Sequence, residues 1–109
     1  MAKTISTYSE FWPHYLREHA KPATRALHYF GTGLALALLA WAIVSQTWWA
    51  IAAAVVSGYL FAWIGHFRIE RNRPATFTYP TWSLLSDFRM FFLWATGRLG
   101  PELRRAGVE

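Results

Sequence analysis

No cysteine occurs in the chain, which excludes disulfides, thiolate zinc sites and iron–sulfur clusters. Charge is scarce too. Asp, Glu, Lys and Arg make up 16% of the residues, where an ordinary soluble domain has about a quarter. None of the four occurs between Ala26 and Phe67, a run of 42 residues. The stretch before Ala20 has no apolar core and does not read as a signal peptide. No internal repeat or low-complexity region is found, and 109 residues suffice for one domain spanning 1–109.

What is present is aromatic and apolar. Seven Trp, five Tyr and eight Phe suit the belts that proteins carry at membrane interfaces. The net charge of +5 does not imply nucleic acid, because the basic residues flank the apolar run instead of forming an exposed stripe. As one straight helix the run would measure ~63 Å, about twice a ~30 Å hydrocarbon core. The rest of the chain is too short and too apolar to cover it in water. A membrane hairpin is the consistent reading. The expected fold is an all-α integral membrane bundle of about four helices.

Sequence signals place those helices. Tyr8, Phe11, Trp12, Tyr15 and Leu16 recur at helical spacing, giving an amphipathic helix over about 8–20 capped by Ser6, Thr7 or Ser9. Pro22 suits the first turn of a second helix, expected over about 23–44. Ser45, Gln46 and Thr47 form a polar turn, and a third helix follows over about 48–70. Trp41, Trp48 and Trp49 cluster at that turn as interfacial anchors. Thr81 is positioned to cap a fourth helix over about 82–96, which Gly97 stops. Residues 98–109 read as a polar tail. Small residues such as Gly31, Gly33, Ser57 and Gly58 permit close helix contact and leave room for a homo-oligomer. Lys3, Arg17, Lys21 and Arg25 precede the hairpin, and Arg68, Arg71 and Arg73 follow it. By the positive-inside rule both its ends, and the termini, face the cytoplasm.

Two histidines mark the ends of the uncharged run. His28 lies 18 residues before Gln46 and His66 lies 20 after it, so an antiparallel hairpin sets them within ~3 Å of the same height. Glu70 stands four residues past His66, on the same face if the helix continues. His19 precedes the Pro22 break, beside the start of the second helix. Three imidazoles and a carboxylate can therefore meet at the cytoplasmic mouth. Ionisable groups at membrane depth are costly, and a convergent set of them points to function. Neutral imidazoles suit iron, zinc or copper, and histidines with a carboxylate and open positions suit non-haem Fe(II). The spacing alone leaves other readings open. His28 and His66 can be axial ligands of a haem. The histidines can also be polar anchors in a non-catalytic hairpin that binds lipid or a partner. Glu70 can pair with a nearby arginine, and Asp87 can either do the same or orient a ligand histidine. His14 has no evident partner.

Two segments carry a resemblance. Tyr15 to Gly33 contains His19-x-x-Pro22-x-x-x-x-x-His28, and Trp63 to Ala75 contains Gly65-His66-x-x-x-Glu70-x-x-x-Pro74-Ala75. Together they resemble the motifs of a small membrane family of Fe(II)-dependent 2-hydroxy fatty acid dioxygenases, which carry out fatty-acid α-oxidation. The resemblance implies a multi-pass enzyme, here of a bacterial inner membrane, that uses O2 to shorten a 2-hydroxy fatty acid by one carbon. The family's motif ligands fall on His19, His28, His66 and Glu70. Arg25, Arg68 and Arg73, with Arg71, are then the groups placed to attract the substrate carboxylate. The chain departs from the fungal members in its short turn at Ser45, Gln46 and Thr47. It also has Ala23 and Thr24 after Pro22, where the family often has Asn.

Overall fold

A computed structural model describes residues 4–108. Among them every regular element is helical. Helix α1 is Tyr8–Arg17, α2 is Pro22–Ser45 and α3 is Trp49–Ile64, which runs on as a π-helical turn over Gly65–Glu70. A short 3-10 turn over Ala75–Phe77 leads to α4, Pro80–Ala95, and α5, Leu99–Arg105.

Helices α2 and α3 form the expected hairpin. Pro22 occupies the first turn of α2, where its missing N–H costs nothing. Gln46 ends α2 in the left-handed region at φ 55°, turning the chain into α3. The helices touch closely where Gly31 faces Ser57 and Phe61. The small residues are thus used inside the hairpin. Both helices, with the π-turn included in the second, are long and apolar enough to cross a membrane. Only 22% and 33% of their most apolar stretches are buried, which is unlike the core helices of a soluble protein. Val44, Trp49, Val56 and Phe30 all stand exposed. At the turn the Trp41 and Trp49 rings meet edge to face, 5.8 Å apart.

A second core lies beside the hairpin's open end. Phe11, Tyr15 and Leu16 of α1 pack with Met90 of α4 and with Leu99 and Leu103 of α5. Thr7 caps α1 by accepting the Glu10 N–H, and Pro13 sits inside the helix, which starts earlier than that residue suggests. Tyr79, not Thr81, precedes α4, whose first position is Pro80. Gly97, at φ 72°, ends α4 as expected. The region read as a polar tail instead forms α5. Its Leu99, Leu103 and Ala106 recur at helical spacing and are buried, while Glu102 accepts from Trp12 Nε1 at 2.8 Å and pairs with Arg105. The charged residues around this stripe conceal it.

Candidate metal centre

Three different elements supply the histidines. His19 lies in the turn after α1, where its N–H donates to Leu16 O at 3.0 Å. Arg25 reaches back from α2 and donates through Nη1 to the carbonyls of His19 at 2.8 Å and Ala20 at 2.9 Å. That contact buries Arg25 and sets the turn. His28 stands on the second turn of α2. His66 lies in the π-turn, an element rare in proteins and frequent at functional sites. The turn ends with Arg71 in the left-handed region and Asn72 N–H donating to His66 O at 2.9 Å. Gly65 allows the approach: a Cβ there would lie 2.9 Å from Thr24 Cγ2.

The imidazoles converge through their Nε2 atoms. His19 Nε2 is 2.9 Å from His28 Nε2, which is 3.4 Å from His66 Nε2. One ligand atom from each lies within 4.8 Å of the others, and all three residues are buried. The rings cross at 76°, 76° and 85°, fanning around one point.

Each ring's other nitrogen faces an oxygen. His19 Nδ1–H donates to the Tyr15 carbonyl at 2.7 Å. His66 Nδ1–H donates to Asn72 Oδ1 at 2.7 Å, while Asn72 Nδ2 donates to the Glu18 carbonyl at 3.0 Å. His28 Nδ1 lies 3.6 Å from Asp87 Oδ1, which accepts the Tyr15 hydroxyl at 2.5 Å. Tyr15, fully buried, therefore serves two of the rings at once. Its carbonyl holds His19, and through Asp87 its hydroxyl addresses His28. This is the outer arrangement that fixes tautomer and orientation in metal-ligating histidines.

The donor set fits a cation. With Nδ1 protonated on His19 and His66, their Nε2 atoms present bare lone pairs into one small space. At a metal–nitrogen distance of about 2.1 Å, ligands at right angles lie about 3.0 Å apart and tetrahedral ones about 3.4 Å, close to the observed separations of 2.9 and 3.4 Å. Burial, together with the neighbouring His28 and His66, holds the His19 imidazole well below its ordinary pKa and keeps it neutral. Burial pushes the Asp87 carboxyl up to about 7, although the Tyr15 hydroxyl pulls it down. The same burial, with Asp87 alongside, raises the Tyr15 phenol. The void between His28, His66, Tyr59 and Asp87 is only about 10 Å³, enough for one water and far too small for a porphyrin.

The other expected site residues are placed differently. Glu70 Oε2 accepts the Lys21 backbone N–H at 2.6 Å, and Lys21 Nζ donates to Ile69 O at 3.0 Å. The acid thus joins the π-turn to the start of α2 and is not among the three convergent ligands. Arg68, Arg71 and Arg73 line a cleft of about 700 Å³ that also touches Asn72, whereas Arg25 is spent on the His19 turn. His14 packs its ring beside Phe11, 6.0 Å away. Asn72, and Tyr15 of the apolar stripe, are ring partners that the sequence pattern does not mark. Their signal was the unmet need of buried imidazoles for oxygen partners.

A family model described as 2-hydroxy-palmitic acid dioxygenase Mpo1-like matches residues 5–99. The chain belongs to the Mpo1-like family. The match takes in all three histidines and every residue that holds them. Comparison with curated proteins and with solved structures found no match. The family's name is that of a dioxygenase of 2-hydroxy-palmitic acid, and the three buried histidines form a site that could hold a metal ion, consistent with a metal-dependent dioxygenase.

Proposed function

We propose that the chain is an Fe(II)-dependent dioxygenase that shortens 2-hydroxy fatty acids by one carbon at a membrane. The convergence of three Nε2 atoms at the open end of an apolar hairpin carries this reading, within a family of that name. His19, His28 and His66 are the ligands. Iron(II) held there supplies the redox chemistry that O2 requires. The residues around it position and exclude. Tyr15 and Asn72 fix the Nδ1 protons of His19 and His66, and Asp87 orients His28. Burial keeps bulk water from the centre. Arg68 and Arg73 attract the carboxylate to the mouth, while Glu70 and Arg25 brace the turns that carry the ligands.

The hairpin spans the bilayer of a bacterial inner membrane. Its basic ends, and both termini, lie on the cytoplasmic side, and the tryptophan turn lies on the other.

Elemental analysis, an absorption spectrum and oxygen uptake on one purified sample test the reading. One iron per chain, no Soret band, and O2 consumption dependent on 2-hydroxy-palmitic acid are expected. His28→Ala and His66→Ala should each abolish that consumption. Metal-free protein as isolated that gains no activity on adding Fe(II) would leave a non-catalytic lipid- or partner-binding hairpin as the reading, and full activity in both variants would overturn the three-histidine iron centre.

A further inference from the structure

A second cavity lies along the hairpin. Helix α4 packs on α2 and leaves a groove of about 330 Å³ between itself and α3. Ala35, Leu36 and Leu39 of α2 floor it, and its walls include Ala54 and Gly58 of α3 and Phe88 of α4. Its surface is overwhelmingly apolar, with Thr32, Tyr59 and Asp87 at one end. From Thr32 to Leu39 it follows about 10 Å of helix. Tyr59 and Asp87 also line the small void against His28 and His66. The groove and the void beside His28 and His66 therefore share a wall, formed by Tyr59 and Asp87.

Two glycines of the hairpin separate packing from vacancy. A Cβ on Gly31 would meet Phe61 Cβ and Ser57 O at 3.0 Å, so that position is small because the helices touch. A Cβ on Gly58 would find nothing nearer than Ala35 Cβ at 3.9 Å, so that position is small where the groove is open. Unfilled apolar space ending at a hydrogen-bond acceptor suits one kind of guest. It must be long, apolar, and carry a hydroxyl or carboxyl head at the Asp87 end.

We propose that this groove is the acyl-chain channel, entered sideways from the bilayer, with Gly58 and Ala54 keeping it open. The occupant is the tail of a 2-hydroxy fatty acid, lying along the helices as lipid tails do, with its head delivered to the centre between Tyr59 and Asp87. The identity of the occupant rests on the dioxygenase reading, but its location can be tested without turnover.

The experiment uses metal-free full-length protein in phosphatidylcholine nanodiscs. It compares a 2-hydroxy fatty acid carrying a mid-chain diazirine with a phosphatidylcholine carrying the same group. The fatty acid probe is expected to label peptides around Ala54, Gly58 and Phe88, and excess 2-hydroxy-palmitic acid should suppress that labelling. Gly58→Leu and, independently, Ala54→Leu should cut the suppressible labelling at least about tenfold, the loss expected when a few methylenes are excluded. Both should still bind one metal ion. Labelling that falls on outward residues such as Val44 and Val56, or groove labelling equally strong with the phospholipid probe and not suppressed by the free acid, overturns the proposal. The second result would assign the groove to bilayer lipid. Competed groove labelling in a protein that never consumes O2 upholds the channel and defeats the dioxygenase. Turnover of 2-hydroxy-palmitic acid at undiminished kcat/KM in both leucine variants does the reverse.

Discussion

Asn72 connects two ligand-bearing turns, since its oxygen takes the His66 proton and its nitrogen binds the Glu18 carbonyl just before His19. Replacing it by leucine keeps the bulk and removes both bonds. Partners of this kind typically change metal affinity by about 10–100-fold, and Asn72→Leu should lower affinity in that range when measured by chelator competition. Tyr15→Phe spares the carbonyl that holds His19 and removes only the hydroxyl on Asp87, so its effect should be smaller. His19 makes a prediction about acid. Its folded pKa is depressed, so above about 6.5 it is neutral in both folded and unfolded chains and contributes nothing to pH dependence. As pH falls below about 6.5 the unfolded chain takes up a proton that the folded chain refuses, and stability is lost. Thermal unfolding of the metal-free protein in micelles should therefore move to lower temperature between pH 7 and pH 5. A His19→Gln variant should flatten that slope.

Helix contacts make a paired test. Gly31→Ala forces a Cβ against the Ser57 carbonyl, a backbone atom that cannot swing aside, and should cost ~1–3 kcal/mol. Gly33→Ala meets only Phe91 at ordinary distance, 3.6 Å, and should be neutral or slightly stabilising through helix propensity. Unfolding midpoints of the two variants decide the matter. The hairpin was legible because its signals are local and redundant: an uncharged run, Pro22 at the start, Gln46 at the turn. Counting residues from Gln46 then set His28 and His66 at one height, and their Nε2 atoms do lie 3.4 Å apart. Glu70 escaped the same arithmetic because α3 ends in a π-turn, which departs from the α-helical spacing that put Glu70 on the His66 face. No local pattern announces that turn, since it exists through the fit of Gly65 against Thr24 and the closure of Asn72 on His66. Helix α5 was hidden for another reason. Three buried apolar residues among arginines and glutamates make a stripe only once Trp12 and Leu16 are there to receive it.

For the whole molecule, the missing cysteines become a tool. Single cysteines can be placed at will and labelled from one side of the membrane without background. Gln46→Cys should react with an impermeant maleimide in intact cells, while Arg104→Cys should react only after the membrane is opened. Labelling in the opposite sense would invert the proposed topology. The distribution of ligands across the fold also has a consequence in time. His28 and His66 are 38 residues apart and meet only when both arms of the hairpin are in place, whereas His19 follows a helix held by α4 and α5, which are synthesised after the hairpin. The ribosome must therefore have made α4 and α5 before the centre is whole. Capture of a metal ion waits on those helices, and a chain stalled before α4 carries an incomplete site.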